Sequence, residues 1–492
     1  MKKLALAIAV PVALFGAATF YTSTQVEPTA REAVDQANVK LREMSIGAGA
    51  DVSLKLLSFD HGLMSSAARY QVDIKVPDEE GTVHDYSFVL TDRLEHGPFP
   101  VSRISRGQLM PVAAHSHFEL ERTPLTEKLF EAAAGEPPLV GDVSIGYDGG
   151  QHGDLRSAAF NLKDEEVSLR VSPAMLNFEA GKDATTVRLD GELPEVDLEL
   201  AMVSGTQVRM SVRNMALTAD KQKDDNGFAL GPAAVTLQRM EIQTNDEPAV
   251  VFHNASIDEA LSQGSRGLDQ TVAYRIGQVD AQGQTFSDLV LALSLRNLDA
   301  ASLKTLVDSY KAVLESAPTP EASIAGMNEA QQSELQAKAL QLLEHQPTLG
   351  VDELGFKTAH GAARLSVALD LRSPNAEAFT PDAMIASMVA SLKADAGVDK
   401  GLIQDIASMV ALRQQQDGQP DLAELQLESE ATTSLLSAMA VDAGWSRLEG
   451  ERLVSSLHYA DDQVNFNGQA MSVPEFMGFA FGSVQNAGLL GQ

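Results

Sequence analysis

The chain has 492 residues, with 37 Lys and Arg against 68 Asp and Glu, a formal charge of −31, and no cysteine. That balance excludes a nucleic-acid surface, which must be cationic to release phosphate counterions, and it disfavours lying flat on anionic lipid. Without Cys there are no disulfides, thiolate zinc sites, iron–sulfur clusters or cysteine nucleophiles. The 44% hydrophobic and 21% charged content is that of a globular chain.

Met1-Lys2-Lys3 precedes Leu4 to Tyr21, an uncharged apolar run of about 18 residues, close to the minimum that spans a bilayer core. Two readings stand: a cleaved signal peptide with a small-residue site at Gly16-Ala17-Ala18, or an uncleaved anchor. Length favours the anchor. Lys2 and Lys3 then place the body outside the cytoplasm, in the periplasm of a two-membrane bacterium. With those two lysines inside, the exported part carries about −33, which keeps an anchored body soluble and off an acidic membrane. Thr29-Ala30-Arg31-Glu32 reads as a capping box. The helix it starts has Ala30, Ala33, Val34, Ala37, Leu41 and Met44 in one stripe. That stripe packs on the protein's own body or forms a coiled-coil seam in a dimer.

From Asp51 to about Leu295 period-two alternation dominates, as in Tyr70-Gln71-Val72-Asp73-Ile74, broken by Gly, Asp and Asn turns. This predicts a long antiparallel sheet. Beyond it, Leu289–Ala300 resembles Leu365–Ala376, each an alternating strand ending in Arg and a turn. The first leads into a helix capped by Asp299. The second leads into a helix starting at Thr380-Pro381 and carrying Met384, Ile385, Met388, Val389 and Leu392. Helices are also expected at Asn328–His345 and around Leu402–Val410, and strands at Leu453–Tyr459 and Val464–Gly468. The expected fold is α+β and β-rich, with extended antiparallel sheets and repeated strand-strand-helix units in the C-terminal half. Its parts are an anchor at 1–22, a juxtamembrane helix at 23–46, a β-rich domain at 47–300 and an α+β domain at 301–492.

Phe59-Asp60-His61-Gly62-Leu63-Met64-Ser65-Ser66, His96-Gly97-Pro98-Phe99-Pro100, Ile145-Gly146-Tyr147-Asp148-Gly149 and Val464-Asn465-Phe466-Asn467-Gly468 resemble, in order, motifs of the YdgA-like bacterial family of unknown function. The resemblance covers nearly the whole chain. It implies an inner-membrane-attached, self-associating periplasmic protein, and it transfers no catalytic residue or cofactor. The motif positions it singles out are Gly62, Ser65, Ser66, His96, Gly97, Pro98, Phe99, Tyr147, Gly149, Asn467 and Gly468.

The chemistry-bearing residues have bland readings beside sharp ones. Gly97-Pro98 with Pro100 suits a fixed turn in which Phe99 plugs the core, against a catalytic His96. His115 and His117 share a strand face and suit two metal ligands, with His152 or Asp142 as a third. Ser65 and Ser66 near His61 lack a nucleophile elbow or an orienting carboxylate. Asp148-Gly149-Gly150 and Asp224-Asp225-Asn226-Gly227 are hairpin turns without the spaced ligands of a calcium loop, and Trp445 is core. The sequence therefore favours a non-enzymatic, membrane-anchored scaffold of the cell envelope, a homodimer without cofactor. The second reading is a module that binds or transfers phospholipid in an apolar sheet groove, and the third a hydrolase or metal enzyme.

Overall fold

The computed structural model describes Val34, Asp35, Ala37, Asn38 and Leu41, then residues 51–77, 83–163, 167–201, 205–245, 247–314, 326–374, 387–414 and 422–486. The expected anchor at 1–22 lies outside the described residues. The chain divides into two units, one of residues 1–247 and 306–335, the other of 248–305 and 336–492.

The alternating segments of the first unit form β1 (Asp51–Asp60), β2 (Ser65–Pro77), β3 (Val83–His96), β4 (Ala114–Leu120), β5 (Leu139–Ile145) and β6 (Gln151–Ser157). They continue as β7 (Phe160–Lys163), β8 (Val167–Val171), β9 (Ala174–Ala180), β10 (Thr186–Ala201), β11 (Gln207–Lys223) and β12 (Ala229–Thr244). All pairings are antiparallel, and neighbours run β1-β2-β3-β4-β5-β6-β9-β10-β11-β12, with β8 on the second half of β10 and β7 on β8. Two short helices, α1 (Val101–Ser105) and α2 (Glu127–Ala132), interrupt the series.

One sheet face builds the core, in which Leu54, Val72, Ile74, Leu90, Phe118, Val143 and Phe178 pack together. Val34 and Leu41 belong to the same cluster, and Ala37 is fully buried. Asn38 fixes the helical segment there: its side-chain amide donates to the Leu54 carbonyl at 2.9 Å and accepts from the Leu54 N–H at 2.7 Å. The described part of the apolar stripe, Val34, Ala37 and Leu41, thus packs on the protein's own body, while Ala30, Ala33 and Met44 and the capping box at 29–32 lie outside the described residues. Its described residues are covered by that core and are not free to form an intermolecular coiled-coil seam.

The second unit contains β13 (Val250–Gln263), β14 (Leu268–Ala281), β15 (Gln284–Leu298), β16 (Thr348–Lys357), β17 (Ala362–Leu371) and β18 (Val389–Asp399), paired antiparallel in that order. β19 (Arg447–Glu449) and β18 both pair with β20 (Arg452–Ala460), which leads through β21 (Gln463–Phe466) to β22 (Gln469–Ser472). The longer helices are α3 (Ala300–Leu314) and α4 (Glu329–Leu343), each divided between the two units, and α5 (Lys400–Gln414), α6 (Leu422–Asp442) and α7 (Val473–Asn486) of the second unit. The expected cap of α3 is present, with Asp299 accepting from the Ser302 N–H at 2.8 Å.

The helix expected from Thr380 is corrected in its second half. Val389 and Leu392 lie in β18, where Leu392 pairs with Leu369 and Tyr459. Leu392, Ala394, Ala396 and Val398 also alternate, and ladder bonds on both sides outweigh a helical spacing that rested on five residues. Residues 375–386, including Thr380, Met384 and Ile385, lie outside the described residues. α6 was not read from the sequence. Its apolar residues are spread round the helix without a stripe, and Leu427, Leu435 and Leu436 are exposed.

Candidate functional site

Because the strands of the first unit alternate in direction, the loops after β1, β3, β5, β9 and β11 emerge at the same end of the sheet. These are residues 61–64, 97–113, 146–150, 181–185 and 224–228. Nine of the eleven motif positions, from Gly62 to Gly149, fall at this end. Hydrogen bonds join the first three loops to one another's strands. The His96 N–H donates to Met64 O at 2.9 Å, Gly97 N–H to Ala113 O at 2.8 Å, and Ala113 N–H to Ile145 O at 2.8 Å.

Gly97 opens the longest loop, and its peptide bond to Pro98 is cis. A Cβ there would stand 1.8 Å from the Val112 carbonyl oxygen, so only glycine fits. Gly97→Ala is expected to cost about 1–3 kcal/mol of stability, read by thermal unfolding. Phe99 corrects its expectation: it is exposed and plugs nothing, because the turn carries it away from the sheet. Tyr147 is exposed as well, while Gly149, at φ +83°, lets the β5–β6 turn close.

Ser66, His61 and His96 do come together. The Ser66 hydroxyl lies 3.0 Å from His96 Nε2 and 3.3 Å from His61 Nδ1. Burial, then the charge of His61, lowers the His96 pKa. Ser66 is buried, and among the described residues no carboxylate bonds to either imidazole, so no group orients a base as a hydrolase requires. The cluster ties the β1–β2 loop to the end of β3. Ser65 is half-buried beside it, paired with Glu95.

On the face opposite the core a second polar lattice runs across the strands. In register, Glu95, His115, Ser144, His152 and Glu179 form one row over β3, β4, β5, β6 and β9. Arg93, His117, Asp142 and Asp154 form the next. α1 lies over the first row. Ser102 donates through its N–H and hydroxyl to Glu95, Arg103 donates to the Ser144 hydroxyl, and Arg106 Nη2 lies 2.6 Å from His115 Nε2.

Asp142 is the hub. His115 Nε2 and His117 Nδ1 approach its Oδ1 at 3.4 and 3.1 Å, Arg106 lies 3.3 Å from the same oxygen, and Arg156 pairs with Oδ2. Burial pushes this carboxyl up, but the hydrogen bonds of His115 and His117 and the charges of His117 and Arg106 outweigh it. The carboxyl sits far below the usual range. The Asp142 hydrogen bond raises the His117 pKa against its burial. The metal reading of His115 and His117 fares poorly on this chemistry, since arginines occupy the carboxylate that would be the third ligand. His152 is turned to Arg103 at 3.5 Å. Among the described residues no group of three or more His, Asp or Glu is placed to hold a metal ion. The acidic turns are likewise used internally: Asp148 accepts from Gly150 N–H, and Asp224 from Asn226 and Phe228 N–H.

Asn467 and Gly468 lie in the second unit, as the positive-φ pair of the β21–β22 hairpin. Asn467 accepts from Ser456 N–H and donates to the carbonyls of Gly444 and Trp445, whose indole packs with Phe466 and Phe479. Their role in the fold is structural.

The second unit has a feature the motifs did not mark. Three apolar rows cross β15 to β18: Leu295-Leu349-Leu369-Leu392, Leu293-Val351-Val367-Ala394 and Leu291-Leu354-Leu365-Ala396. Tyr274 and Ile257 extend the last row onto β14 and β13. This face is open: Ile257 is 45% exposed, Leu354 44% and Leu295 41%. The two repeated sequence segments supply β15 and β17 of it. On the opposite face a depression of about 670 Å³ is lined by Arg275, Lys357, Arg364 and Arg452, which pair with Asp258, Asp288, Glu353 and Asp399 and leave it little net charge.

These features define a β-rich protein of two antiparallel units with few helices, a polar lattice under one loop end and an open aliphatic sheet face. The chain belongs to the family described as bacterial protein of unknown function (DUF945), whose model matches residues 1–474. It is similar to Protein YdgA of Escherichia coli (strain K12), 24% identical over 495 residues that cover 97% of this chain and 96% of that protein. It is also similar to the uncharacterized protein YihF of the same organism, 20% identical over 503 residues, 97% of this chain and 98% of that protein. An uncharacterized protein of Haemophilus influenzae matches 34% of this chain and 45% of its own length at 23% identity. No solved structure matches.

Proposed function

We propose that the chain is a non-catalytic, membrane-anchored envelope protein that holds phospholipid acyl chains on the open apolar face of its second unit. The observation that carries this reading is the exposure of Ile257, Tyr274, Leu293, Leu295, Leu349 and Leu354 on one continuous sheet face. A sheet with a wet apolar face needs a cover, and β13 to β18 are six adjacent strands, about 24 Å across at ~4.8 Å spacing. That exceeds the roughly 15 Å depth of one leaflet's hydrocarbon. The aliphatic lining suits a flexible chain, and the uncharged segment at 4–21 keeps the body beside its source. Among the described residues no helix is long and apolar enough to cross a membrane, and that segment lies outside them.

The test is cis-parinaric acid fluorescence with the full chain. Leu293→Asp and Leu354→Asp alter exposed positions, so stability should move by less than about 0.5 kcal/mol, while probe affinity should fall at least tenfold. Undiminished affinity in both variants refutes the assignment. The scaffold reading draws on the same exposed face, with a second copy as the cover. Light scattering distinguishes it: a dimer that the same two substitutions dissociate, without any bound lipid, would favour the scaffold.

A further inference from the structure

The loop end of the first unit carries apolar side chains that the fold leaves uncovered. Leu63 is 96% exposed, Met110 78%, Met64 70% and Leu109 67%, and Phe99, Val101 and Ile104 are also exposed. They come from two loops, and the His96–Met64 hydrogen bond ties the first to the strand end from which the second springs. In a chain of charge −31, residues 97–113 contain Arg103 and Arg106 and no acidic residue. Arg103 is buried to 5% exposure, its Nε has no hydrogen-bond partner, and among the described residues it pairs with no carboxylate. Arg106, whose side chain is 40% exposed, stands next to it. Apolar tips backed by the half-exposed Arg106 match a lipid–water interface, where the tips enter the acyl boundary and its guanidinium meets phosphate.

We propose that this loop end docks on the phospholipid bilayer surface, with Leu63, Met64, Phe99, Leu109 and Met110 entering the interface and Arg106 facing the headgroup phosphates. The charge of the whole body repels an anionic membrane, and the two loops that carry the tips, 61–64 and 97–113, hold no carboxylate to add to that repulsion. A protein partner of ordinary acidity satisfies Arg106 but gives no reason for so many large apolar tips at two loop ends. The proposal does not rest on the acyl-chain reading of the second unit, and refuting one leaves the other standing.

The absence of cysteine makes the test direct. The full chain, carrying Leu63→Cys, Met110→Cys or, at the opposite end of the same sheet, Glu136→Cys, is labelled with an environment-sensitive nitrobenzoxadiazole dye. Each is then reconstituted in vesicles of phosphatidylethanolamine and phosphatidylglycerol. Labels at 63 and 110 should shift to the blue, resist aqueous iodide and be quenched by doxyl-labelled lipid, while the label at 136 does none of these. Leu109→Glu should return the label at 110 to water. Equal iodide access at all three positions overturns the proposal. So does shielding at 63 and 110 that lipid-borne doxyl does not quench and that grows with protein concentration, which would mean a second copy.

Discussion

Replacing Asp142 by Asn should cost about 2–4 kcal/mol at neutral pH, because it strips a nearly buried carboxylate from Arg106, Arg156, His115 and His117 at once. The partial exposure of both arginines sets the lower end of that range. The pH dependence has two limbs. The lowered Asp142 pKa contributes stability that is complete above the ordinary carboxylate value, about pH 4, and is lost as pH falls through the folded value. The raised His117 pKa contributes stability that is complete below about pH 6.5 and fades as pH rises through the folded value. The lattice is therefore strongest between about pH 4 and 6.5, and in the Asn variant the His117 titration midpoint should fall. Urea unfolding across pH and imidazole NMR read both. A loss below about 0.5 kcal/mol would deny the hub role.

Asp92→Asn should act in the opposite direction. Asp92 lies on the core face between Leu90 and Leu94, opposite Ala68 and Phe118, and Ser116 donates to it at 2.7 Å. Burial pushes its carboxyl up to about 6, against the Ser116 bond and the charge of His117. The folded state thus holds this proton more tightly than the unfolded chain, so stability falls as pH rises from about 4 to about 6. The penalty is about 3 kcal/mol when complete. Asn removes the charge and keeps an acceptor for Ser116. The variant should match the wild type near pH 3 and exceed it by about 2–3 kcal/mol at pH 7. Equal midpoints at both pH values would show that Asp92 is solvated.

Of these two groups the sequence marked Asp142 alone, as a third metal ligand, and did not mark Asp92. Alternation made the strands readable because each face of a strand such as β2 has a single character, and a capping residue such as Asp299 announced α3. The His-Gly-Pro-Phe-Pro and Gly-Leu-Met-Ser-Ser runs marked the loop end, since turns demand particular residues at particular positions. Asp142, by contrast, lies 25 residues from its partner His117, and register across β4 and β5 brings them together. No local pattern encodes that distance. Phe99 was misread because a large aromatic beside a fixed turn is usually core. Val389 and Leu392 misled because short apolar runs fit a helix and a strand equally until the neighbouring strands are placed. Whether the sheet's apolar face would be open or covered was equally hidden, since a closed sandwich produces the same alternation.

That open face is the central claim, and native mass spectrometry of the full chain released from a mild detergent measures it most directly. The account predicts a stoichiometric mass addition of a phospholipid in the wild type, lost in Leu293→Asp and Leu354→Asp while both remain folded. A wild-type spectrum with only the bare chain, or an adduct that both variants keep, would contradict it.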